Sequence, residues 1–194
     1  MQKLIYLHGF RSGPQSLKAQ QLRSHLARQG RAGDLWCEQL PPGPQDAMAL
    51  IESVLCPALA AGDEVALAGS SLGGFYALHL AEKHGLHAAL INPAVVAPKS
   101  LGEYVGEHEH MYTGEVFRFE QEHVEQLAEL DVAAVTRPER YLVLLETGDE
   151  VLDWWQAVLK LRGANLVVHA GGDHSLQSFA AELPRMTEFL LPDR

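Results

Sequence analysis

The stretch Glu64-Val65-Ala66-Leu67-Ala68-Gly69-Ser70-Ser71-Leu72-Gly73-Gly74-Phe75 decides the fold. Glu64–Ala68 is a short run of strand formers, and Phe75–His84 after it is a helix apolar on nearly all sides, closed by Gly85. Between them lies G-x-S-x-G. A strand can turn sharply into a helix only where the flanking positions carry no side chain, and the turn then lifts its central serine above the sheet edge. Ser71 holds that apex, whereas Ser70 falls one position short of it.

Working outward, the same alternation continues in both directions. Lys3–Leu7, Asp34–Leu40, Ala88–Asn92, Tyr141–Glu146 and Asn165–His169 read as further strands. Helical runs lie at Ser16–Gln29, from Asp46 as N-cap to a break at Pro57, at Leu152–Arg162, and at Leu176–Leu191 with an interruption near Pro184. Short apolar strands separated by helices predict an α/β fold, a mostly parallel six-stranded sheet with helices on both faces. The expected strand order is 2-1-3-4-5-6. Residues 92–140 break the pattern: they are polar and glycine-containing, then amphipathic through Val124, Leu127 and Leu130, with no strand evident. A connection of that length reads as a cap or insert. The 194 residues fit a single domain, 1–194.

The charge balance removes several classes of function. Lys+Arg 15 against Asp+Glu 25 gives a net charge of −10, with no basic block, which argues against nucleic acid and against anionic membrane surfaces. No apolar run reaches the roughly 18 residues of a membrane span, and the N-terminus lacks the pattern of a secretion signal. The expected compartment is the cytoplasm. Cys37 and Cys56 are isolated thiols, neither a disulfide framework nor a zinc site.

A serine is a weak nucleophile without a base, and the base needs an orienting acid. In this fold class the order along the chain is serine, acid, histidine. Of ten histidines, His174 follows the last strand and a tight turn, in Ala170-Gly171-Gly172-Asp173-His174. His169 lies within the strand, and His79, His84 and His87 lie on or just after the helix that follows Ser71. His108 and His110 (HEH) lack a third ligand, so no metal is expected. The acid should fall in the first turn beyond Tyr141–Glu146, which selects Asp149. Glu150 points elsewhere, and Asp153 belongs to the first turn of the next helix; a helix cap is the competing role for Asp149. An oxyanion needs two donors. The backbone N–H groups of Leu72 and of Phe10, in the loop after the first strand, are placed to supply them, with His8 bracing that loop. Arg11 follows Phe10 directly.

Leu7-His8-Gly9-Phe10, Gly69-Ser70-Ser71-Leu72-Gly73-Gly74, Asn92-Pro93-Ala94, Tyr112-Thr113-Gly114, Thr147-Gly148-Asp149-Glu150-Val151-Leu152-Asp153 and Gly171-Gly172-Asp173-His174 together resemble the YqiA-type family of small bacterial α/β-hydrolase esterases. The resemblance runs nearly end to end and keeps the order of the anchors. It implies a serine esterase with Ser71, Asp149 and His174 as its triad. Two positions depart from the family: Arg11 replaces a smaller polar residue, and Asp173 stands where Asn is usual. The expected reaction is hydrolysis of a small-molecule carboxylic ester through an acyl-enzyme, without metal or organic cofactor. The modest apolar content of 92–140 suggests small or accessible acyl groups. Thioester hydrolysis is the alternative chemistry, and a non-catalytic binding protein of the same fold the alternative class.

Overall fold

The computed structural model describes residues 1–192; the last two positions of the expected 1–194 unit lie outside the described residues. In chain order the elements are β1 (Gln2–Leu7), α1 (Leu17–Arg28), β2 (Leu35–Trp36), α2 (Pro44–Ala60), β3 (Glu64–Ser70), α3 (Leu72–His84), β4 (His87–Ile91) and α4 (Ala97–Leu101). They continue with β5 (Gly106–Glu109), β6 (Val116–Phe119), α5 (Gln121–Glu129), β7 (Tyr141–Glu146), α6 (Trp154–Lys160), β8 (Asn165–His169) and α7 (Phe179–Leu190).

Six strands form one sheet in the order β2-β1-β3-β4-β7-β8, every neighbouring pair parallel. Counting only these strands along the chain, the order is the expected 2-1-3-4-5-6. Side chains alternate between two buried faces, as a strand's two-residue period requires. Ile5, Leu7, Leu67, Leu90, Val143 and Leu145 join the core under α2, α3, α5 and α6. Leu4, Tyr6, Ala68, Ile91, Leu142 and Leu144 join the core under α1 and α7. The chain leaves β1 toward β2 on one side and returns to β3 on the other. The sheet therefore opens a crevice beyond the carboxyl ends of β1 and β3, paired in register from Gln2–Glu64 to Leu7–Gly69. No helix among the described residues is long and apolar enough to cross a membrane.

Several local expectations change. The second strand shrinks from Asp34–Leu40 to Leu35–Trp36: Ala32–Asp34 forms a 3-10 turn that takes its first residue, and pairing with β1 stops after Trp36. Helix α2 starts at Pro44, whose ring presets the first helical φ, so Asp46 lies within the first turn rather than at the cap. Pro57 does not break α2, since it occupies the last turn, where little helix remains to be disrupted. Pro184 likewise stays inside an unbroken α7, where Thr187 Oγ1 donates to the Leu183 carbonyl at 2.9 Å. The largest correction lies in 92–140, where β5 and β6 pair as an antiparallel hairpin, Gly106 opposite Phe119 and Glu109 opposite Val116. The amphipathic run after it is α5, with Leu127 buried in the main core.

Candidate active site

Four loops meet above the carboxyl ends of β1, β3, β7 and β8. Ser71 sits between β3 and α3 at φ 55°, ψ −118°, a conformation L residues rarely adopt and one that neighbouring contacts must enforce. Its N–H donates to the Ile91 carbonyl at 3.0 Å, and its own carbonyl accepts from the Gly74 and Ala94 N–H groups at 3.0 Å. The two motif glycines are required by close packing. A Cβ on Gly69 would lie 2.1 Å from the Gly73 oxygen, and one on Gly73 would lie 2.0 Å from the Leu7 oxygen. Helix α3 can thus begin directly against β1, and the turn is held at the crevice.

His174 reaches this point from the turn after β8. Its Nε2 lies 3.1 Å from Ser71 Oγ, and its Nδ1 lies 2.8 Å from Asp149 Oδ2. The Asp149 side chain is 1% exposed and that of His174 22%, so the carboxylate is dry while the imidazole edge faces the cleft. Asp149 Oδ1 also accepts from the N–H groups of Val151 and Leu152 at 2.9 and 2.8 Å. The turn-capping role and the contact with His174 therefore coexist in one residue. Glu150 does not touch the imidazole; its carboxylate accepts from the His174 backbone N–H at 3.0 Å. Asp153 caps α6 through the Trp155 N–H at 3.0 Å.

Phe10 lines the same cleft as Ser71 and His174, and Leu72 follows Ser71 directly. Leu72 opens α3, where an N–H has no intrahelical partner, and neither its N–H nor that of Phe10 meets a backbone carbonyl among the described residues. A Cβ on Gly9 would lie 3.2 Å from Ser71 Cβ, so the loop passes tightly over the serine. His8 braces it. Its Nδ1 lies 2.9 Å from the Gly9 carbonyl and its Nε2 accepts from the Leu40 N–H at 2.9 Å, which assigns the proton to Nδ1. Burial drives the His8 pKa down to about 4, because a charged ring there would lose both water and the Leu40 contact.

That depression has a definite sign. An unfolded His8 takes up a proton near its ordinary value of 6.5 and the folded one only near 4, so its stabilising effect is complete above 6.5 and lost as pH falls toward 4. The expected loss is about 3 kcal/mol over that window. Urea unfolding at pH 7.5 and pH 4 should show it, and His8→Gln should flatten that part of the curve.

The hairpin closes one wall of the site. Phe10 packs edge-to-face on Tyr104, Phe117 and Phe119, with ring centroids 5.2 to 6.0 Å apart. Met111 N–H donates to the Arg11 carbonyl at 2.9 Å, and Arg11 Nε donates to the Glu109 carbonyl at 3.1 Å. The Arg11 side chain is thus engaged in holding the hairpin. Below it a cleft of about 660 Å³ exposes Ser71 and His174. Leu17, Met111, Tyr112 and Val151 line it and are all large apolar residues left exposed. Lys18 enters from α1, its ammonium donating to the Ser175 carbonyl at 2.7 Å.

Two other histidines have separate partners: His169 faces Glu182 at 3.0 Å, and His79 Nδ1 lies 2.9 Å from the Leu130 carbonyl. His108 and His110 lie tilted against Phe117, and no group of three or more His, Cys, Asp or Glu among the described residues is arranged to hold a metal ion. Glu146 carries no role in the sequence reading, and Asn92 and the hairpin tip enter it only as parts of the Asn92-Pro93-Ala94 and Tyr112-Thr113-Gly114 motifs. Glu146 had a signal, a carboxylate ending the otherwise apolar strand YLVLLE.

The α/β-hydrolase fold recurs in solved structures that resemble this one. Mouse alpha/beta hydrolase domain-containing protein 10 superimposes with TM-score 0.70 at 19% identity, covering 97% of this chain and 89% of its own. Est1E from Butyrivibrio proteoclasticus, solved with ferulic acid bound, gives 0.69 at 14% identity, with 98% and 88% covered. The monoacylglycerol lipase of Paleococcus ferrophilus gives 0.66 at 14% identity, with 96% and 93% covered. A family model described as an uncharacterised protein family matches residues 3–191. With nearly all of its length inside that match and with the α/β-hydrolase fold, the chain belongs to the uncharacterised protein family UPF0227.

Proposed function

We propose that this chain is a serine hydrolase of carboxylic esters, with Ser71 as nucleophile, His174 as general base and Asp149 as the acid that orients it. The observation that carries the reading is the continuous contact from Asp149 Oδ2 through both ring nitrogens of His174 to Ser71 Oγ, at 2.8 and 3.1 Å. With Asp149 accepting from Nδ1–H, the proton of the neutral imidazole is on Nδ1 and Nε2 is free to take the serine proton. Ser71 Oγ attacks the ester carbonyl, and the resulting oxyanion accepts from the N–H groups of Phe10 and Leu72. His174 then protonates the departing alcohol. Water, deprotonated by the same nitrogen, attacks the acyl-enzyme, the bond from the acyl carbon to Ser71 Oγ breaks, and His174 returns the proton to Oγ as the acid leaves. The four exposed apolar side chains around the cleft offer surface to an acyl or aryl group of the ester. Each step uses groups of this chain, carried in one domain.

Labelling with a fluorophosphonate followed by peptide mass mapping tests the reading. Stoichiometric modification of Ser71 is expected, abolished in His174→Ala. Folded wild-type protein that stays unlabelled would point instead to a binding protein of hydrolase fold.

A further inference from the structure

Between β8 and α7 the chain has no regular secondary structure to hold His174 in place, yet its backbone polar groups are gripped from outside. The buried Glu146 carboxylate, 2% exposed, accepts from three of them. Oε2 receives the N–H groups of Asp173 and Gln177 at 2.8 and 2.9 Å, and Oε1 receives that of Ser178 at 2.8 Å. Asn92 grips the same turn from the other polarity, donating from Nδ2 to the Asp173 and His174 carbonyls at 3.1 and 3.2 Å. Its Oδ1 accepts from the Glu146 N–H at 3.1 Å, which ties the two residues together.

We propose that Glu146 is a positioning residue for His174: its carboxylate, fixed at the end of a central strand, sets the 173–178 turn so that the imidazole meets Ser71. This rests on the Ser71–His174–Asp149 reading. A carboxylate suits the task because it presents only acceptors, two oxygens for three converging N–H groups. A glutamine can satisfy one oxygen's donors but must turn its NH2 toward the other's. Burial opposes the charge, yet the N–H groups of Ser178, Asp173 and Gln177 outweigh it and hold the carboxyl below the usual carboxylate range. The chain also makes room for the grip. A Cβ on Gly172 would lie 1.9 Å from Glu146 Oε2, at a φ of +71° that already favours glycine.

The test compares wild type, Glu146→Gln and Glu146→Ala by steady-state kinetics on an activated aryl ester, by the rate of fluorophosphonate labelling, and by amide hydrogen exchange at Asp173, Gln177 and Ser178. Displacing a base by about an ångström costs on the order of 100-fold. The alanine variant should therefore lose about 10- to 100-fold in kcat and in labelling rate, with KM within about twofold, and the glutamine variant should fall between. Exchange at the three amides should rise in the same order. A purely structural role would lower the melting temperature and leave kcat of the folded protein unchanged, and that result overturns the proposal. Should the alanine variant fail to fold, the glutamine variant decides: faster exchange with unchanged kcat overturns the proposal, and faster exchange with reduced kcat supports it. Wild-type protein that labels at Ser71 while both variants label equally fast removes the positioning role alone. Wild-type protein that does not label removes the triad reading and this role with it.

Discussion

Ser71→Ala is expected to lower kcat on an activated ester by about 10⁶. Alanine keeps Cβ and the backbone of the strained turn, at φ 55°, but removes the oxygen 3.1 Å from His174 Nε2 that is proposed to form the acyl-enzyme. The proposed oxyanion donors and the cleft remain, so a residual rate of about 10³ over water should persist. Because the turn is enforced by Gly69, Gly73 and the bonds to Ile91 and Ala94, none of which the substitution touches, circular dichroism and the melting temperature should match wild type. A folded Ser71→Ala protein turning over at close to the wild-type rate would reject the nucleophile and the mechanism built on it.

Asp149→Asn should cost about 10⁴ in kcat. Asparagine can still accept from the Val151 and Leu152 N–H groups through one oxygen, so the turn after β7 survives. In that orientation it aims its NH2 at His174 Nδ1. The ring must then accept there and carry its proton on Nε2, where it can no longer take the serine proton. The informative control is Asp153→Asn. Asn caps a helix about as well as Asp, so α6 should hold and kcat should stay within a few-fold. Measured together, a larger loss from Asp153→Asn than from Asp149→Asn would transfer the acid's role to the wrong side of the turn and refute the assignment.

What could be read from sequence follows from what each signal encodes. A strand buried on both faces is a continuous apolar run, as Tyr141–Glu146 is, and the half-exposed edge strand Asn165–His169 keeps enough of an apolar run to be found where expected. The strand order follows from the fold class that the motifs indicate rather than from the pattern of any one strand. Gly69 and Gly73 are legible because only a hydrogen fits where backbone meets backbone. The hairpin was not: Gly106–Glu109 (GEHE) has neither an apolar run nor a clear alternation, and its stability comes from burying the partner strand's Phe119 against Phe10, about a hundred residues away. Glu146 was visible as a charge in an apolar strand, but its three donors come from a turn nearly thirty residues on. Asp46 and Pro57 mislead as boundary signals when taken singly: Pro44 sets the start of α2, and its end lies too close to Pro57 for that proline to matter.

The hairpin bears on how such a scaffold can be altered. Its tip furnishes a side of the cleft through Met111 and Tyr112, while its rungs fasten the Gly9–Arg11 loop through Glu109, Met111 and the rings around Phe10. It is therefore a poor candidate for modular exchange. Grafting a different loop between Val105 and Phe119 to redirect selectivity would also loosen the loop that carries the Phe10 N–H, trading turnover for a new preference. Retargeting is better sought on the far rim, at Leu17 and Val151, which border the same cleft from elements that do not fasten that loop.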